Sequence, residues 1–454
     1  MRIIIVGCGK VGATIISQLS KEGHDITIVD IDRDVVEETA NAYDVMGVVG
    51  NGASYNVLKD AGIDTADLLL AVTDSDEQNL LTCLIAKKVG GCNTIARVRN
   101  PIYSEEVRFI SEELGLSMII NPEMTAAQEI ARILRFPAAV KIDTFAKGKV
   151  EILKFIVPEG SLLDGCALGE ISKKVKADIL ICTVERKEEA IIPNGSFVLK
   201  AGDKVSIVSS PAHAREFFKR IGINIQRVRD VLIIGGGKMA YYLAEMLQTT
   251  GIQVKIIEQD EERCKQLADS LPKAQIICGD GTDQDVLLEE GVTRSDAFVS
   301  LTGIDEENIL LSLYVHTVSN AKIVTKVNRS AFSEVIASMD LGSVIYPKYI
   351  TADHIVRYVR AKQNAEGNSV ESLYHLIDNK VEALEFKVQE NAPVCNIPLE
   401  KLSIKKNVLV ACIYRDEKTI IPNGKSEIKA GDTVIVVSGI QGFHDLSDIL
   451  EEKA

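Results

Sequence analysis

The feature that most constrains this chain of 454 residues is a long internal repeat. The stretch Gly7-Cys-Gly-Lys-Val-Gly returns 228 residues later as Gly235-Gly-Gly-Lys-Met-Ala. A second pair of motifs, I-I-P-N-G followed by A-G-D-x-V, begins at Ile191 and again at Ile420. The units of solenoid proteins are only about 20 to 50 residues long. The much longer period here therefore indicates a duplicated pair of domains.

Each copy of the repeat begins with alternating strand and helix patterns. In the first copy, β-branched runs such as residues 3–6 and 26–29 alternate with stretches of helical apolar spacing. This rhythm predicts an α/β fold: two tandem Rossmann-like domains with doubly wound parallel sheets, each followed by a small α+β C-terminal module. The stretch Pro122–Arg135 predicts a helix that connects the two. The predicted boundaries are 1–136 and 137–225 for the first pair, and 226–362 and 363–454 for the second.

The charge and the apolar runs bear on the location of the protein. A net charge of −14 disfavours sequence-independent binding to nucleic acid, which basic patches drive, and disfavours anionic lipid surfaces as well. The apolar runs are far shorter than the roughly 20 residues that a transmembrane helix needs. The N-terminus enters a strand pattern at once, which leaves no room for a signal peptide. We therefore expect a cytoplasmic protein.

The cysteines and histidines lack the sequence spacing that is typical of metal ligands. The nine cysteines contain no C-x-x-C pair, and several lie in apolar runs, so they are predicted to be reduced thiols of the core. The six histidines are equally dispersed. The sequence therefore predicts no metal site.

A glycine fingerprint in the first copy predicts a dinucleotide site. Gly7 allows a tight turn, Gly9 lets the backbone approach a pyrophosphate, and Gly12 lets helix and sheet pack closely. Asp30 ends the next strand, where its carboxylate can accept hydrogen bonds from an adenosine ribose. The alternative is a structural turn that Asp30 merely caps.

The second copy keeps most of this fingerprint. Gly235 and Gly237 are retained, Ala240 replaces the last glycine, and Glu258 takes the acidic position. A carboxylate there repels a 2′-phosphate, so NAD(H), ADP or ATP is favoured over NADP(H) in both copies.

Further candidates follow the later strands of each sheet. The stretches 50–52 and 279–281 are either close approaches to an adenine or ordinary turns, and the sequence leaves both interpretations open. Thr73 and Thr302 end fourth strands at the carboxyl edge of the sheet, where ligands bind, and are predicted contacts.

Two arginines near the end of the fifth strand suit phosphate recognition. Alternation along the strand places Arg97 and Arg99 on the same face. The alternative is a pair of solvated surface side chains. The second copy has Lys326 and Asn328 instead, so the two sites are not expected to favour the same ligand equally.

With these motifs in place, the whole chain resembles the regulator-of-potassium-conductance family, and within it the peripheral subunits of Trk potassium-uptake systems. The resemblance implies binding of NAD(H) and ATP/ADP, and a homotetrameric ring on the cytosolic face of a potassium-translocating membrane subunit of the Trk type. It also implies that Arg99 reaches a nucleotide phosphate across a subunit boundary, and it leaves the ligands of the C-terminal modules unidentified. The predicted contacts of the first copy are Gly7, Cys8, Gly9, Lys10, Val11, Gly12, Asp30, Asn51, Gly52, Thr73, Asp74, Arg97 and Arg99. Those of the second copy are Gly235, Gly236, Gly237, Lys238, Met239, Glu258, Asp280, Gly281 and Thr302.

Two other functions share the same fingerprint. One is an NAD-dependent dehydrogenase, which would need a proton donor or acceptor beside the nicotinamide. No histidine or acid in the small modules is an obvious candidate for that role, so the sequence favours a regulatory protein without catalytic residues. The other is a nucleotide-sensing regulator of a different membrane transporter.

Overall fold

The computed structural model describes residues 1–104, 106–137, 139–146, 149–175, 179–187, 189–222, 228–329, 335–336, 339–364, 370–377, 380–443 and 445–451. The chain divides into two compact units, and each contains parts of both copies of the repeat. The Rossmann unit comprises Met1–Ala131 and Arg229–Val356. The C-module unit comprises Arg132–Val228 and Arg357–Ala454.

The first Rossmann-like domain is built on a six-stranded parallel sheet. Its strands are β1 (Arg2–Val6), β2 (Asp25–Asp30), β3 (Met46–Val49), β4 (Leu68–Ala71), β5 (Asn93–Arg97) and β6 (Met118–Ile120). The order is β3-β2-β1-β4-β5-β6. Ile3 on β1 lies opposite Ile26 on β2 and opposite Leu68 on β4, so the direction of strand addition reverses at β1. In such sheets a ligand binds at the carboxyl edge beside this reversal.

The helices of this domain follow the strands. They are α1 (Lys10–Leu19), α2 (Arg33–Tyr43), α3 (Tyr55–Asp60), α4 (Asp76–Val89), α5 (Pro101–Ser104), α6 (Val107–Leu114) and α7 (Pro122–Arg135). The predicted connecting helix is confirmed as α7. Proline is well placed in its first turn because that turn needs no internal N–H donor, and the helix ends before Pro137.

The first C-terminal module carries an antiparallel sheet. Its strands are β7 (Lys141–Phe145), β8 (Val150–Ile156), β9 (Leu180–Arg186), β10 (Glu189–Ile191) and β11 (Lys204–Ser209), in the order β10-β9-β11-β8-β7. Its helices are α8 (Leu168–Val175) and α9 (Pro211–Arg220). All pairings of this sheet are antiparallel, and the two helices lie between β8 and β9 and after β11, which confirms the α+β class.

The second copy repeats both architectures. Its Rossmann-like domain has strands β12 (Asp230–Ile234), β13 (Gln253–Glu258), β14 (Gln275–Cys278), β15 (Ala297–Ser300), β16 (Lys322–Lys326) and β17 (Ser343–Ile345), in the order β14-β13-β12-β15-β16-β17. Its helices are α10 (Lys238–Thr249), α11 (Glu261–Ser270), α12 (Gln284–Glu289), α13 (Asp305–Val318) and α14 (Pro347–Asn364). The second C-terminal module has strands β18 (Val370–Ile377), β19 (Val381–Lys387), β20 (Val408–Arg415), β21 (Lys418–Ile420) and β22 (Thr433–Ser438), in the order β18-β19-β22-β20-β21. The duplication inferred from the sequence is therefore a duplication of sheet topology, while the described residues of the second module form short 3-10 helices, Leu399–Lys401 and Leu446–Ile449, at the places of α8 and α9.

The repeated A-G-D motif of the modules has a structural explanation. Asp203 accepts two hydrogen bonds of 2.7 Å from Nε and Nη2 of Arg186, and Asp432 accepts the same pair at the same distances from Arg415. Both carboxylates are buried. Burial opposes ionisation of Asp203, but the hydrogen bonds from Arg186 and from the Lys200 N–H, together with the charges of these two residues, outweigh it and lower the pKa of Asp203 below its ordinary value. The motif therefore serves the folding of each module.

The two modules share a core within the C-module unit. Buried residues of both sheets, among them Val150, Val208, Ala383 and Ile435, form one apolar cluster. The rings of Phe145 and Tyr374 lie 4.4 Å apart at its edge. Each sheet thus covers an apolar face of the other.

All nine cysteines are free thiols, and seven of them are buried. The prediction of core thiols is wrong for Cys278, which is exposed at the end of β14, and Cys395 is partly exposed. Cys278 follows apolar residues in the sequence, but it lies at the end of an edge strand, outside the core. In the described part of the chain, no helix combines the length and the apolarity required to cross a membrane.

Candidate functional site

The glycine loop between β1 and α1 is as tight as its sequence suggests. Gly7 has a φ of +101°, and a Cβ atom on it would lie 2.9 Å from the Thr73 nitrogen. A Cβ atom on Gly12 would lie 1.9 Å from the carbonyl oxygen of Gly7. A Cβ atom on Gly9 would meet nothing within 4 Å. The loop is therefore closed toward the protein at Gly7 and Gly12 and open toward solvent at Gly9, where α1 begins.

Asp30 lies at the end of β2 beside this loop. Its Oδ2 accepts a hydrogen bond of 2.7 Å from the backbone N–H of Cys8, and its Oδ1 accepts one of 3.1 Å from the N–H of Asp32. The Cys8 side chain is buried, and burial followed by the charge of Asp30 raises the pKa of its thiol to about 12. Cys8 thus contributes its backbone to the site and keeps an unreactive thiol.

A buried asparagine ties together the ends of β4 and β5. Oδ1 of Asn79 accepts hydrogen bonds from N (2.9 Å) and Oγ1 (2.7 Å) of Thr73. Nδ2 of Asn79 donates to the carbonyl oxygens of Thr73 (3.1 Å) and Arg97 (2.9 Å). Asn308 makes the same backbone contacts with Thr302 and Lys326. Each predicted threonine is therefore bound by a clamp, which is the set of hydrogen bonds by which a buried asparagine joins the ends of the fourth and fifth strands.

Two aspartates secure the segment that follows each fifth strand. Oδ2 of Asp76 accepts from the N–H groups of Arg99 (2.9 Å) and Asn100 (2.8 Å), and Asp305 does the same for Asn328 and Arg329. These aspartates and the asparagines that bind the threonines are not among the residues predicted from the sequence. A sequence signal for them exists, because the pattern D-E-x-N begins α4 in the first copy and α13 in the second.

Arg97 and Arg99 meet at the turn after β4, and they are not a pair of solvated surface residues. Arg97 is only 6% exposed and donates from Nη2 to Oδ1 of Asp74 at 2.8 Å, while Arg99 donates from Nη2 to the Asp74 carbonyl oxygen at 2.7 Å. Burial, followed by the nearby charge of Arg99, lowers the pKa of Arg97. Strand alternation was the wrong reason for their proximity, because β5 ends at Arg97.

The stretches 50–52 and 279–281 have a packing explanation. A Cβ atom on Gly52 would lie 2.1 Å from Cγ1 of Val6, and one on Gly281 would lie 2.4 Å from Cγ2 of Ile234. Asn51 accepts from its own turn and from Nε2 of Gln78 (3.0 Å), and Asp280 accepts from Thr282. The geometry accounts for the glycines as turns that cross the first strand of each sheet.

In the second copy, the carboxylate also binds the glycine loop. Glu258 accepts from the N–H of Gly236 at 2.6 Å and from that of Asp260 at 2.9 Å. Gly235 has a φ of +94° and packs against the backbone of Leu301, as Gly7 packs against the backbone at Thr73. The two acidic positions are thus structurally equivalent.

A cavity of about 1170 Å³ opens between the two Rossmann-like domains of the Rossmann unit. From the first copy it is lined by most of the predicted contacts, and from the second copy it is lined by the start of α10. The predicted contacts that line it are Gly7, Gly9, Lys10, Val11, Asp30, Gly52, Thr73, Asp74, Arg97, Arg99, Gly237, Lys238 and Met239. Those that do not line it are Cys8, Gly12, Asn51, Gly235, Gly236, Glu258, Asp280, Gly281 and Thr302. The open ends of both glycine loops therefore face one space.

Basic side chains outnumber acidic ones in the lining of this cavity. Six basic side chains line the whole cavity together with four acidic ones, and two of the acids lie at and beside the end of β2. Nε of Arg97 and Nε of Arg99 are buried without a hydrogen-bond partner among the described residues. Charged donors that converge on two helix N-termini are suited to bind phosphate groups. The basic residues are Lys10, Arg97, Arg99, Lys238, Lys326 and Lys348, and the acidic ones are Asp30, Asp32, Asp74 and Glu123.

A buried tyrosine joins the two Rossmann-like domains beside the cavity. The Tyr242 hydroxyl accepts from Nδ2 of Asn121 at 2.9 Å and donates to the carbonyl oxygen of Arg99 at 3.0 Å. The backbone of the first copy's arginine segment is therefore held by a residue of α10, the helix that carries the second glycine loop.

Comparison with known proteins agrees with this architecture. The model of the TrkA-N domain matches residues 3–122 and 231–347, and that of the TrkA-C domain matches residues 152–222 and 383–451. The Trk system potassium uptake protein TrkA homolog of Archaeoglobus fulgidus is 33% identical over 449 residues, which cover 99% of this chain and 100% of that protein. The Trk system potassium uptake protein TrkA of Haemophilus influenzae is 30% identical over 443 residues, 96% of this chain and 95% of its own length.

A solved structure shares the fold at lower identity. The structure titled "GsuK channel bound to NAD" superposes with a TM-score of 0.64 at 18% identity, and the match covers 96% of this chain and 76% of that one. The tandem domain matches and the full-length relatives together show that the chain belongs to the family of the Trk system potassium uptake protein TrkA.

Proposed function

We propose that the protein is a cytosolic nucleotide-binding regulatory subunit that gates a potassium-translocating membrane protein of the Trk type. The observation that carries this proposal is the cavity onto which both glycine loops and six basic side chains converge. The relatives are named as potassium uptake proteins, and the GsuK structure is titled as bound to NAD. NAD(H), ADP and ATP are the ligands that fit a carboxylate at the ribose end and cations at the phosphate end.

In the first site, Asp30 would accept hydrogen bonds from the adenosine ribose. Gly9 and the N-terminus of α1 would face the pyrophosphate, and Arg97 and Arg99 would hold the terminal phosphate. Calorimetry with NADH, ADP and ATP tests this assignment. Asp30→Ala should weaken NADH binding to the first site at least tenfold, since charge-assisted hydrogen bonds contribute about 1.5 to 3 kcal/mol each.

A matched control exists in the second copy. Glu258→Ala removes the equivalent carboxylate and should leave the affinity of the first site unchanged. Unaltered NADH affinity in the Asp30→Ala protein would refute the assignment of the first site.

The regulatory step would depend on Arg99. Its guanidinium contacts the turn at Asp74, and its carbonyl oxygen accepts from Tyr242 of the second copy. A γ-phosphate offers this guanidinium a charge that ADP lacks, so ATP and ADP would stabilise different arrangements of a homotetrameric ring on the inner face of the membrane. A coupling of about 1 to 3 kcal/mol is usual for such effects.

Potassium flux through the reconstituted membrane partner tests the regulatory step. The parent protein should give different fluxes with ATP and with ADP, and Arg99→Ala should abolish the difference while ADP still binds. If the Arg99→Ala variant still gives different fluxes with ATP and with ADP, Arg99 is not the residue that distinguishes the two nucleotides.

We infer that the protein is not a catalyst. A dehydrogenase would need an acid or base beside the nicotinamide, and the cavity near Arg97 presents phosphate-binding cations instead. Pure protein incubated with NAD and a panel of hydroxy acids should show no change in nicotinamide absorbance above background. Steady substrate-dependent turnover would favour the dehydrogenase function.

A further inference from the structure

The second helices of the two Rossmann-like domains differ in charge at the position three residues after their capping aspartates. Asp32 caps α2 and accepts a hydrogen bond from the N–H of Val35 at 3.3 Å, and Asp260 caps α11 and accepts one from the N–H of Arg263 at 2.7 Å. Val35 and Arg263 therefore occupy the same place relative to their caps. Val35 lines the cavity beside Asp30. This position thus faces the adenosine end of the site in the first copy.

Arg263 places a guanidinium at the adenosine end of the second site. Its Nε donates to the carbonyl oxygen of Gly236 at 2.7 Å, and its Nη1 donates to Oε1 of Gln266 at 3.2 Å. Glu258 binds the N–H of the same Gly236. Glutamate and arginine thus bind the N–H and the carbonyl oxygen of one glycine in the loop, and the arginine is fixed in place before any ligand arrives.

The adenosine ends of the two sites differ in how they would bind a 2′-phosphate on the ribose. In the first copy the equivalent position is the aliphatic Val35, so no cation at this position offsets the repulsion between Asp30 and a 2′-phosphate. In the second copy, the Nη2 of Arg263 has no hydrogen-bond partner among the described residues and remains available beside Glu258. An arginine near the ribose is the usual means by which this fold accepts a 2′-phosphate.

We propose that the second site binds adenine dinucleotides with a 2′-phosphate, the NADP(H) class, as well as those without it, whereas the first site excludes them. The inference rests on the proposed nucleotide-binding function. It departs from what the acidic residues alone predict, because a fixed guanidinium offsets the repulsion from Glu258.

Titration of the full-length Gly12→Ala protein, whose added Cβ would lie 1.9 Å from the Gly7 carbonyl oxygen and close the first site, with NADPH and with NADH, followed by nucleotide fluorescence, tests the second site. In this protein NADPH should bind with an affinity within about threefold of that of NADH. Adding Arg263→Val, the residue of the first copy, should weaken NADPH at least tenfold and change NADH less than threefold. Lys265→Ala, which removes an exposed cation from the same helix, should change neither affinity.

The reciprocal exchange tests the first site. In a Gly235→Ala protein, whose added Cβ would lie 3.0 Å from the Leu301 backbone and disturb the second glycine loop, Val35→Arg should tighten NADPH binding at least tenfold and leave NADH within threefold. This gain cannot result from misfolding.

Three results would overturn the inference. Equal tightening of both nucleotides by Arg263→Val would show that the arginine blocks the site, and unchanged affinities would show that it serves only the glycine loop. Absence of any dinucleotide binding in the Gly12→Ala protein would also overturn it. In that case the proposed function would stand if the parent protein binds NADH through the first site, and would fall if it does not.

Discussion

Replacing Asn79 by alanine should damage both the stability of the Rossmann unit and its first nucleotide site. The side chain is fully buried and makes hydrogen bonds to three backbone groups and one hydroxyl at the ends of β4 and β5. Alanine removes all of them. The turn that carries Thr73 and Asp74 would lose its attachment to β5.

The magnitude follows from the groups that lose their partner. The N–H of Thr73 and the carbonyl oxygen of Arg97 each lose their hydrogen bond to this side chain, and a buried unpaired group costs about 1 to 3 kcal/mol. Asn79→Ala should therefore lower the free energy of unfolding of the Rossmann unit by about 2 to 6 kcal/mol. Because Asn308 makes equivalent backbone bonds, Asn308→Ala should have a similar effect on stability.

Urea unfolding combined with NADH binding separates the two effects. Both variants should lose stability, but only Asn79→Ala should weaken NADH at the first site, by at least tenfold at a temperature where the protein is still folded. A loss below about 1 kcal/mol in Asn79→Ala, or equal weakening of the first site by Asn308→Ala, would refute the reasoning.

Three further predictions use other features of the Rossmann unit. Gly12→Ala should abolish nucleotide binding at the first site, because the added Cβ would lie 1.9 Å from the Gly7 carbonyl oxygen, whereas Ala240→Gly should leave calorimetric binding at the second site unchanged. Tyr242→Phe removes two hydrogen bonds between the domains and should lower the free energy of unfolding by about 1 to 3 kcal/mol in urea titrations. Burial lowers the pKa of Lys322 to about 8, so the folded protein loses this proton as the pH rises from about 8 while the unfolded chain keeps it to about 10.5. The melting temperature of the parent protein should therefore rise relative to that of Lys322→Met between pH 8 and pH 10.5.

Apolar periodicity and the repeat were enough to predict the fold. Runs of β-branched residues separated by helical spacing specify a parallel sheet, and Pro122 with Pro137 marks both ends of α7. Periodicity says little about buried polar side chains, since Asn79 lies on a helix whose other buried positions are not all apolar. The clamp becomes visible only when the carboxyl ends of two strands are placed side by side.

The candidate site was predictable where the backbone sets the chemistry. Gly7, Gly12 and Asp30 are dictated by a tight turn and by the end of a strand, so spacing identifies them. The meeting of Arg97 with Asp74 depends on the segment beyond the strand, which alternation does not describe. The difference between Val35 and Arg263 is present in the sequence, but its meaning depends on the direction in which the guanidinium points.

The shared core of the C-module unit has an evolutionary consequence. Because each module covers an apolar face of the other, an ancestor with one copy would have needed a second molecule of itself to bury residues such as Ile152 and Val437. Fusion of the two genes would turn that homodimer into a single polypeptide and release the halves from identity. Substitutions such as those at Arg263 and Lys326 could then accumulate in one half alone. In this way a symmetric pair of nucleotide sites would acquire two different ligand preferences.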